Sequence, residues 1–525
     1  EERTGPLGMS ACRCGRVDMK GGEHGGHSIR EGTRGLSLRP GDLQTRKKQL
    51  LWGDWLRIGS DIDADWSEVT WGRQRLAIRK ADYQQERVLE MIFLDVAQGD
   101  GCILTTPLTG ARERIMIVDA GVGDNMAAYL NYRFRAFKKK FTFLAAVITH
   151  PDRDHYRGFQ QVFDNEQISF EHVYHNGLME RTGGQVLGPV TDGFLTDIKA
   201  SKSAARRLYD NKAVRGRKWY PELIWTALNS PRFGNVSMLS TVHGQKEQGQ
   251  TWMPGFAPSD NDELTIEVLG PVVERAPNGR RGLRAFASSM ASTTMNTGKT
   301  KNGHSVLLRL KYRDFSILFG GDLNTPAEHF LMRYYGNDGE APTTRAESAA
   351  MIAKARARFS ADMMKCCHHG SSDVTEEFLE ATEPAAYVVS SGDEESHVHP
   401  RPDLLGLLGK KGRGGRPLIL CTEMLRSTRE REDPRLRGRL DRLMREIAQE
   451  PDGDEKKRLE RERSAILDEL FKRNVGVYGA INLRTDGRRA VVAFRRERPK
   501  GVNRWFYYTL EKDLDGVFQL GGVTH

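Results

Sequence analysis

The sequence predicts an α/β sandwich, and three observations point there. Apolar runs of strand length follow one another closely, each stopped by Gly, Pro or a polar residue. Polar turns stand at the ends of these runs, the edge where α/β scaffolds assemble sites. One such turn, Thr149-His150-Pro151-Asp152-Arg153-Asp154-His155, directly follows the apolar run FLAAVI and holds four ligand-type side chains within six residues. At the end of a buried strand, imidazole and carboxylate groups spaced i, i+2, i+4 and i+5 can converge on one point. A pair of closely spaced divalent cations requires that convergence.

The 525 residues allow two or three domains, or one large domain with additions. Lys and Arg number 80 against 70 Asp and Glu, a net charge of +10, which favours an anionic partner such as nucleic acid or a phosphorylated molecule. Apolar residues make up 38%, and no run approaches the roughly 18 apolar residues of a membrane span. With no N-terminal signal pattern either, the expected compartment is cytoplasmic, without a membrane partner. Six cysteines in so long a chain are not a disulfide framework, and the CxC of Cys12 and Cys14 lacks the second half of a zinc site. Gly5-Pro6-Leu7-Gly8 ahead of Met9 reads as a cloning remnant, which leaves the natural start open.

Residues 1–48 are rich in Gly and Arg and poor in aliphatics, so a disordered basic segment is expected. Over 49–86 the stretches LLWGDWLRIG, WSEVTWG and QRLAIRK alternate apolar and polar residues, which predicts a small SH3-like β-barrel or an extra hairpin on the next domain. The main domain is expected over 87–427, beginning with the strands LEMIFLDVAQ, GCILTTP, RIMIVDAG and FLAAVITH. Residues 174–262 read as an irregular insertion whose Tyr209, Trp219, Tyr220, Trp225 and Trp252 are local core rather than base-stacking platforms. Strands resume with LTIEVLGP, HSVLLRLKY and FSILFGGDL; after a charged stretch at 335–361 come ADMMKCCHHGSS and AAYVVSSGD. Residues 428–474 predict a helical hairpin, with stripes of Leu436, Leu440, Leu443, Met444 and Ile447, and of Leu459, Ile466, Leu470 and Phe471, broken by Pro451-Asp452-Gly453-Asp454. Over 475–525, VYGAINLRTDG, AVVAFRRE and WFYYTLEKD are closing strands of the same domain.

Four later sites, one of them a histidine pair, extend the cluster. His304 begins a strand, Asp322 follows one on a Gly-Gly turn, His368 and His369 follow another, and His399 lies in a loop after AAYVVSSGD. All stand at or beside a strand end.

With these residues in view, the chain resembles the metallo-β-lactamase-fold hydrolases, in the branch containing the hydrolase domain of the bacterial competence DNA-uptake protein. The matching segments are FLDVAQGDG (93–101), IVDAG (117–121), THPDRDHYRGF (149–159), NGHSVLLRL (302–310), GGDL (320–323), HHGS (368–371) and HP (399–400). They span roughly 88–425 and reach neither the N-terminal strands nor the hairpin. The resemblance implies an αββα four-layer sandwich and two divalent metal ions, zinc or manganese. It implies that His150, Asp152 and His304 hold one ion. Asp154, His155 and either His369 or His368 would hold the other, with Asp322 bridging. Asp152 departs from the commonest pattern, which has His there, and the extra carboxylate admits manganese beside zinc. Asp95, Gln98, Asp100 and Asp119 would support the ligands, with turn capping the alternative for Asp95 and Asp100. Ser371 would contact substrate or fix its loop, and His399 would contact substrate or donate a proton. His175 and His243 read as structural.

The expected chemistry is hydrolysis by metal-activated water, with Asp154 and His399 as the catalytic candidates beside the ions. A phosphodiester of nucleic acid, DNA above all, is the leading substrate. Small phosphodiesters, cyclic nucleotides, lactones and β-lactams are alternatives, as is a vestigial binding or sensor module. The barrel and the hairpin are candidate docking points for a protein partner.

Overall fold

The computed structural model describes residues 27–29, 35–37, 46–71, 74–134, 137, 139–288, 292, 294–392, 398–425, 434–451 and 453–524. Two large sheets dominate. The first has ten strands in the order Phe233–Met238, Ile168–His175, Phe141–Val147, Ile115–Ala120, Gly101–Thr105, Leu89–Phe93, Ile481–Thr485, Ala490–Lys500, Asn503–Lys512, Phe518–Thr524. The second has eight: Gln245–Glu247, Gln250–Trp252, Leu264–Gly270, Leu307–Tyr312, Phe315–Phe319, Met363–Lys365, Ala386–Val389, Leu418–Cys421.

Period-2 alternation explains why the strands read as unbroken apolar runs. Leu89, Met91 and Phe93 face the core between the sheets, where Leu308, Leu310, Phe315, Ile317 and Phe319 meet them. The intervening Ile92 turns outward with Ile115 and Ile117, under Met126, Leu130, Phe159, Tyr209, Tyr220 and Ile224 of the outer helices. Leu307, Leu318 and Met364 turn outward from the second sheet against Leu331, Ala355, Phe359 and Leu379. Helix, sheet, sheet, helix: the four-layer sandwich is the observed architecture. The charged stretch at 335–361 contributes the helix Arg345–Phe359, opened by a Thr344/Glu347 capping box, with Met351, Ala355 and Phe359 buried.

Three expectations need adjustment. The strands of the N-terminal region lie in the order Arg46–Gln49, Gly35–Ser37, Gln74–Arg79, Trp66–Trp71, Trp55–Asp61, His27–Ile29, Tyr83–Gln84. The end strands do not pair with each other, so among the described residues there is an open sheet and no closed barrel. Instead of closing a barrel, the Arg46–Gln49 edge turns to the sandwich: the Gln49 side chain accepts from the Trp505 backbone N (2.7 Å). Two of these strands and most of a third, Arg46–Gln49, fall within 1–48, and the rest of that segment up to residue 45, Cys12 and Cys14 included, lies outside the described residues. The segment 174–262, expected as irregular, supplies the edge strand Phe233–Met238 and the helices Lys202–Tyr209 and Trp219–Asn229 of the outer layer.

A buried charge cluster fastens the N-terminal sheet. Arg484 donates to Asp54 Oδ1 (2.8 Å), Glu90 Oε1 (2.9 Å) and the Trp52 carbonyl (2.6 Å). The helices Pro434–Gln449 and Asp454–Tyr478 pack Leu440 and Leu443 against Leu459 and Ile466, while Met444 faces out; the side chains of Leu470 and Phe471 lie outside the described residues. No helix among the described residues is long and apolar enough to cross a membrane.

Candidate metal centre

In both sheets the strands beside this edge run parallel: Ile115–Ala120, Phe141–Val147 and Ile168–His175 in one, Phe315–Phe319, Met363–Lys365 and Ala386–Val389 in the other. Their carboxyl ends therefore open on a common edge, and the ligand-type residues lie there. Asp119 closes its strand and organises the motif loop: its carboxylate accepts from the Thr149 N–H (2.8 Å) and hydroxyl (2.7 Å) and lies 2.8 Å from His155 Nδ1. In the neutral ring this places the proton on Nδ1 and leaves Nε2 free to ligate. Gly99 lets the 95–100 turn close over this loop, since a Cβ there would stand 1.7 Å from the Asp154 carbonyl oxygen.

Asp100, His155, Asp322 and His369, all buried, each offer a ligand atom, and these atoms lie within 4.8 Å of one another. Asp322 Oδ2 is 3.2 Å from His155 Nε2 and 3.1 Å from His369 Nε2, and the two imidazole nitrogens are 3.2 Å apart. Asp154 Oδ2 lies 3.4 Å from His369 Nε2 and accepts from Gln98 Nε2 (3.3 Å). The other His369 nitrogen, Nδ1, is 3.1 Å from the Ser390 carbonyl. His368 and His369 both take left-handed backbone, with φ of 47° and 53°. For non-glycine residues that costs on the order of 1–3 kcal/mol each, strain of the kind that collects at functional sites.

Burial alone would strip the charge from His155 and His369. The carboxylates together outweigh it, Asp322 with Asp119 at His155 and Asp322 with Asp100 and Asp154 at His369, and both pKa values stand well above the usual imidazole range. Burial likewise opposes ionisation of Asp322, but the two imidazoles hold its carboxyl well below the carboxylate range. His150 differs: burial, with His155 beside it, pushes it down to about 3.

His150 Nε2 is buried without a hydrogen-bond partner, 3.7 Å from Asp152 Oδ2 and 3.9 Å from Asp322 Oδ2. Asp322 Oδ1 is likewise without one. A divalent cation would satisfy both, and the mixed imidazole and carboxylate donors suit zinc or manganese, so the residues present fit such an ion.

The structure does not bring every expected residue to this point. His304 ends a short helix, and its Nε2 lies 2.7 Å from the Arg284 carbonyl while its ring stacks on Phe286 at 4.9 Å. Asp152 accepts from Lys301 (2.8 Å), which also pairs with Glu180 (2.5 Å). Of the histidine pair, His369 enters the cluster; His368 lies beside Asn302 (3.4 Å), with its ring centroid 5.9 Å from that of half-buried His399. Ser371 Oγ accepts from the Asp373 N–H (3.2 Å), tying its own loop. Asp95 caps its turn by accepting from the Ala97 N–H (3.1 Å). His175 accepts from the Gly177 N–H (3.0 Å), and His243 bonds the Ser240 hydroxyl (2.8 Å).

Two contributors, Lys365 and Ser305, escaped the sequence reading, and a third takes another place than expected. Asp100, expected in support, stands among the ligand atoms. Lys365 is 4% exposed in its side chain; it donates to Asp100 and to the Gly321 carbonyl (3.2 Å). Its signal was a lone cation at the end of the apolar run ADMMK, just before the histidine pair. Ser305 Oγ accepts from the Asp322 N–H (3.0 Å) and lies 3.3 Å from His150 Nδ1, joining two ligand loops.

No family model matches the chain, and no curated protein matches it. Among solved structures it is similar to a CmlA beta-hydroxylase mutant, at 10% identity and a TM-score of 0.27 over 63% of this chain and 52% of that one. It is also similar to metallo-beta-lactamase SMB-1 bound to 2-mercaptoethanesulfonate, at 13% identity and a TM-score of 0.21 over 53% of this chain and 78% of that one. A HARLDQ-motif mutant of a metallo-beta-lactamase from Cronobacter sakazakii gives 11% identity and a TM-score of 0.21 over 73% and 94%. The chain thus spans about half of the first of these, 52%. At this distance the likenesses add nothing about chemistry to the geometry above.

Proposed function

We propose that the protein is a metal-dependent hydrolase acting on phosphodiesters, with nucleic acid as its substrate. One observation carries this reading: from three separate strand ends His155, Asp322 and His369 bring ligand atoms within 4.8 Å of one another, with Asp100 among them and Asp154 beside His369, while His150 Nε2 and Asp322 Oδ1 are buried without a hydrogen-bond partner. Asp154, His155, Asp322 and His369 would hold a first cation; His150 and Asp152, with Asp322 between the halves, would hold a second. Such ions supply Lewis-acid polarisation of the substrate and make water acidic enough to ionise near neutral pH.

The protein's own groups then orient and exclude. Asp119 and the Ser390 carbonyl fix the two imidazoles, and Gln98 steers Asp154. Lys365 compensates the buried Asp100. His399, half-buried beside His368, is the group we assign to substrate contact or to protonation of the leaving group. A side-chain nucleophile is not needed. Cys366 and Cys367 are buried, and burial pushes their thiols up, to about 12 for Cys366, so neither offers a thiolate. The net charge of +10 supports a polyanionic substrate.

The test is hydrolysis of bis(p-nitrophenyl) phosphate and single-stranded DNA by protein loaded with Mn²⁺ or Zn²⁺. Both should be cleaved, and Asp154→Ala should lower turnover by at least about a hundredfold. Lactone hydrolysis without phosphodiester hydrolysis would refute the phosphodiesterase reading.

A further inference from the structure

Of the aromatic residues in 174–262, Tyr209, Tyr220 and Trp252 are buried, whereas Trp219 is 46% exposed. It opens the helix Trp219–Asn229, and two guanidinium groups cover it: Arg153 at 4.4 Å and Arg157 at 4.7 Å from the ring centroid. Both arginines belong to the motif loop. Arg153 stands between Asp152 and Asp154 in the chain, and Arg157 follows one turn later, its N–H donating to the Arg153 carbonyl (3.0 Å).

Side chains at i and i+4 share a helix face, and like charges there repel by a few tenths of a kcal/mol. Proteins usually offset such a pair with a carboxylate, yet among the described residues neither Arg153 nor Arg157 is paired with one. The nearby acids are engaged elsewhere: Asp152 and Glu180 hold Lys301, and Glu222 holds Arg215. The exposed Arg217 adds positive charge two residues before Trp219. What remains is a pair of uncompensated planar forks, braced on an indole, on the same short loop as the metal-centre residues. Guanidinium forks match phosphate oxygens, and stacking on an aromatic face pre-organises them.

We propose that Arg153 and Arg157, held on Trp219, clamp the phosphodiester backbone of a nucleic acid strand beside the metal centre. The clamp rests on the phosphodiesterase reading and names its substrate contact. A strand gripped at one phosphate presents the phosphates next to it to the adjoining centre, which a small phosphodiester does not need.

The experiment uses full-length, metal-loaded protein and a fluorescein-labelled single-stranded phosphorothioate oligonucleotide, which resists cleavage, with Kd read by anisotropy across a salt series. Arg157→Ala should weaken binding about tenfold and flatten the slope of log K against log salt by about 0.7, the value of one lost phosphate contact on a single strand. Arg157→Lys should keep the slope while losing part of the affinity. Trp219→Leu should weaken binding with the slope kept, since both charges remain. Unchanged Kd and slope in Arg157→Ala and Trp219→Leu, with wild-type thermal midpoints, would overturn the clamp, as would polyglutamate competing as well as the oligonucleotide. The two proposals fail separately. Turnover of bis(p-nitrophenyl) phosphate with neutral clamp variants removes the clamp and leaves the hydrolase. Weakened binding in the variants without any phosphodiester turnover leaves a nucleic-acid-binding surface and removes the hydrolase.

Discussion

The proposed metal centre has two halves that share residue types and differ in how far they are assembled. Around His155, Asp322 and His369 the ligand atoms lie 3.1 to 3.2 Å from one another, their far sides fixed by Asp119 and the Ser390 carbonyl. Around His150 the atoms stand 3.7 to 3.9 Å apart; Asp152 is engaged by Lys301, and His304 is turned to the Arg284 carbonyl. The first half is pre-organised, its two imidazoles drawn to the Asp322 carboxylate that a cation would share. The second must first part Asp152 from an ammonium. The difference teaches that a ligand motif fixes which groups share a loop, while their outer partners decide which half is ready to bind. The first cation should therefore bind tightly and the second weakly.

The largest effect expected is at Asp322. Asp322→Ala removes the carboxylate lying between the halves and should lower retained metal at least about a hundredfold in affinity, measured by titration with Zn²⁺ or Mn²⁺. Metal binding unaltered by that substitution would break the comparison at its base. Next comes pH. His155 and His369 have raised pKa values, so the charge they carry stabilises metal-free protein fully below about pH 6.5, and that stability is lost as pH rises through their folded values. Cation binding must expel those protons, so affinity should climb with pH across the same window, by up to about two protons per ion. Calorimetry in buffers of different ionisation enthalpy counts them; zero release at every pH, with affinity independent of pH, would contradict charged imidazoles in the metal-free protein. The smallest effect sharpens the second half. Lys301→Gln frees Asp152 and should strengthen the weaker site about tenfold without touching the tighter one. Equal changes at both sites would show that the halves are not distinct.

Much of this was legible in the chain. Every inner strand named from its apolar run is a strand, because residues buried on both faces leave an unbroken apolar signature. The Thr149–His155 turn, Asp322 and His369 lie together because strand ends carry their side chains to one edge. His304 shows the limit of that logic. Its place before a strand was readable, but the direction of its ring was set by Phe286 and the Arg284 carbonyl, contacts supplied by a distant segment. Lys301 and Lys365 were hidden for the same reason, since a lysine is informative only once its buried carboxylate partner is known. The edge strand Phe233–Met238 was missed because the adjacent exposed Gly234 and Asn235 break both the apolar run and the period-2 alternation, and its pairing partner lies some sixty residues earlier.

The most direct test is elemental analysis of dialysed wild-type, Asp322→Ala and His304→Ala proteins. Wild type should retain about one tightly held divalent ion per chain, Asp322→Ala should lose it and His304→Ala should keep it. Metal lost from His304→Ala and kept by Asp322→Ala would contradict that expectation.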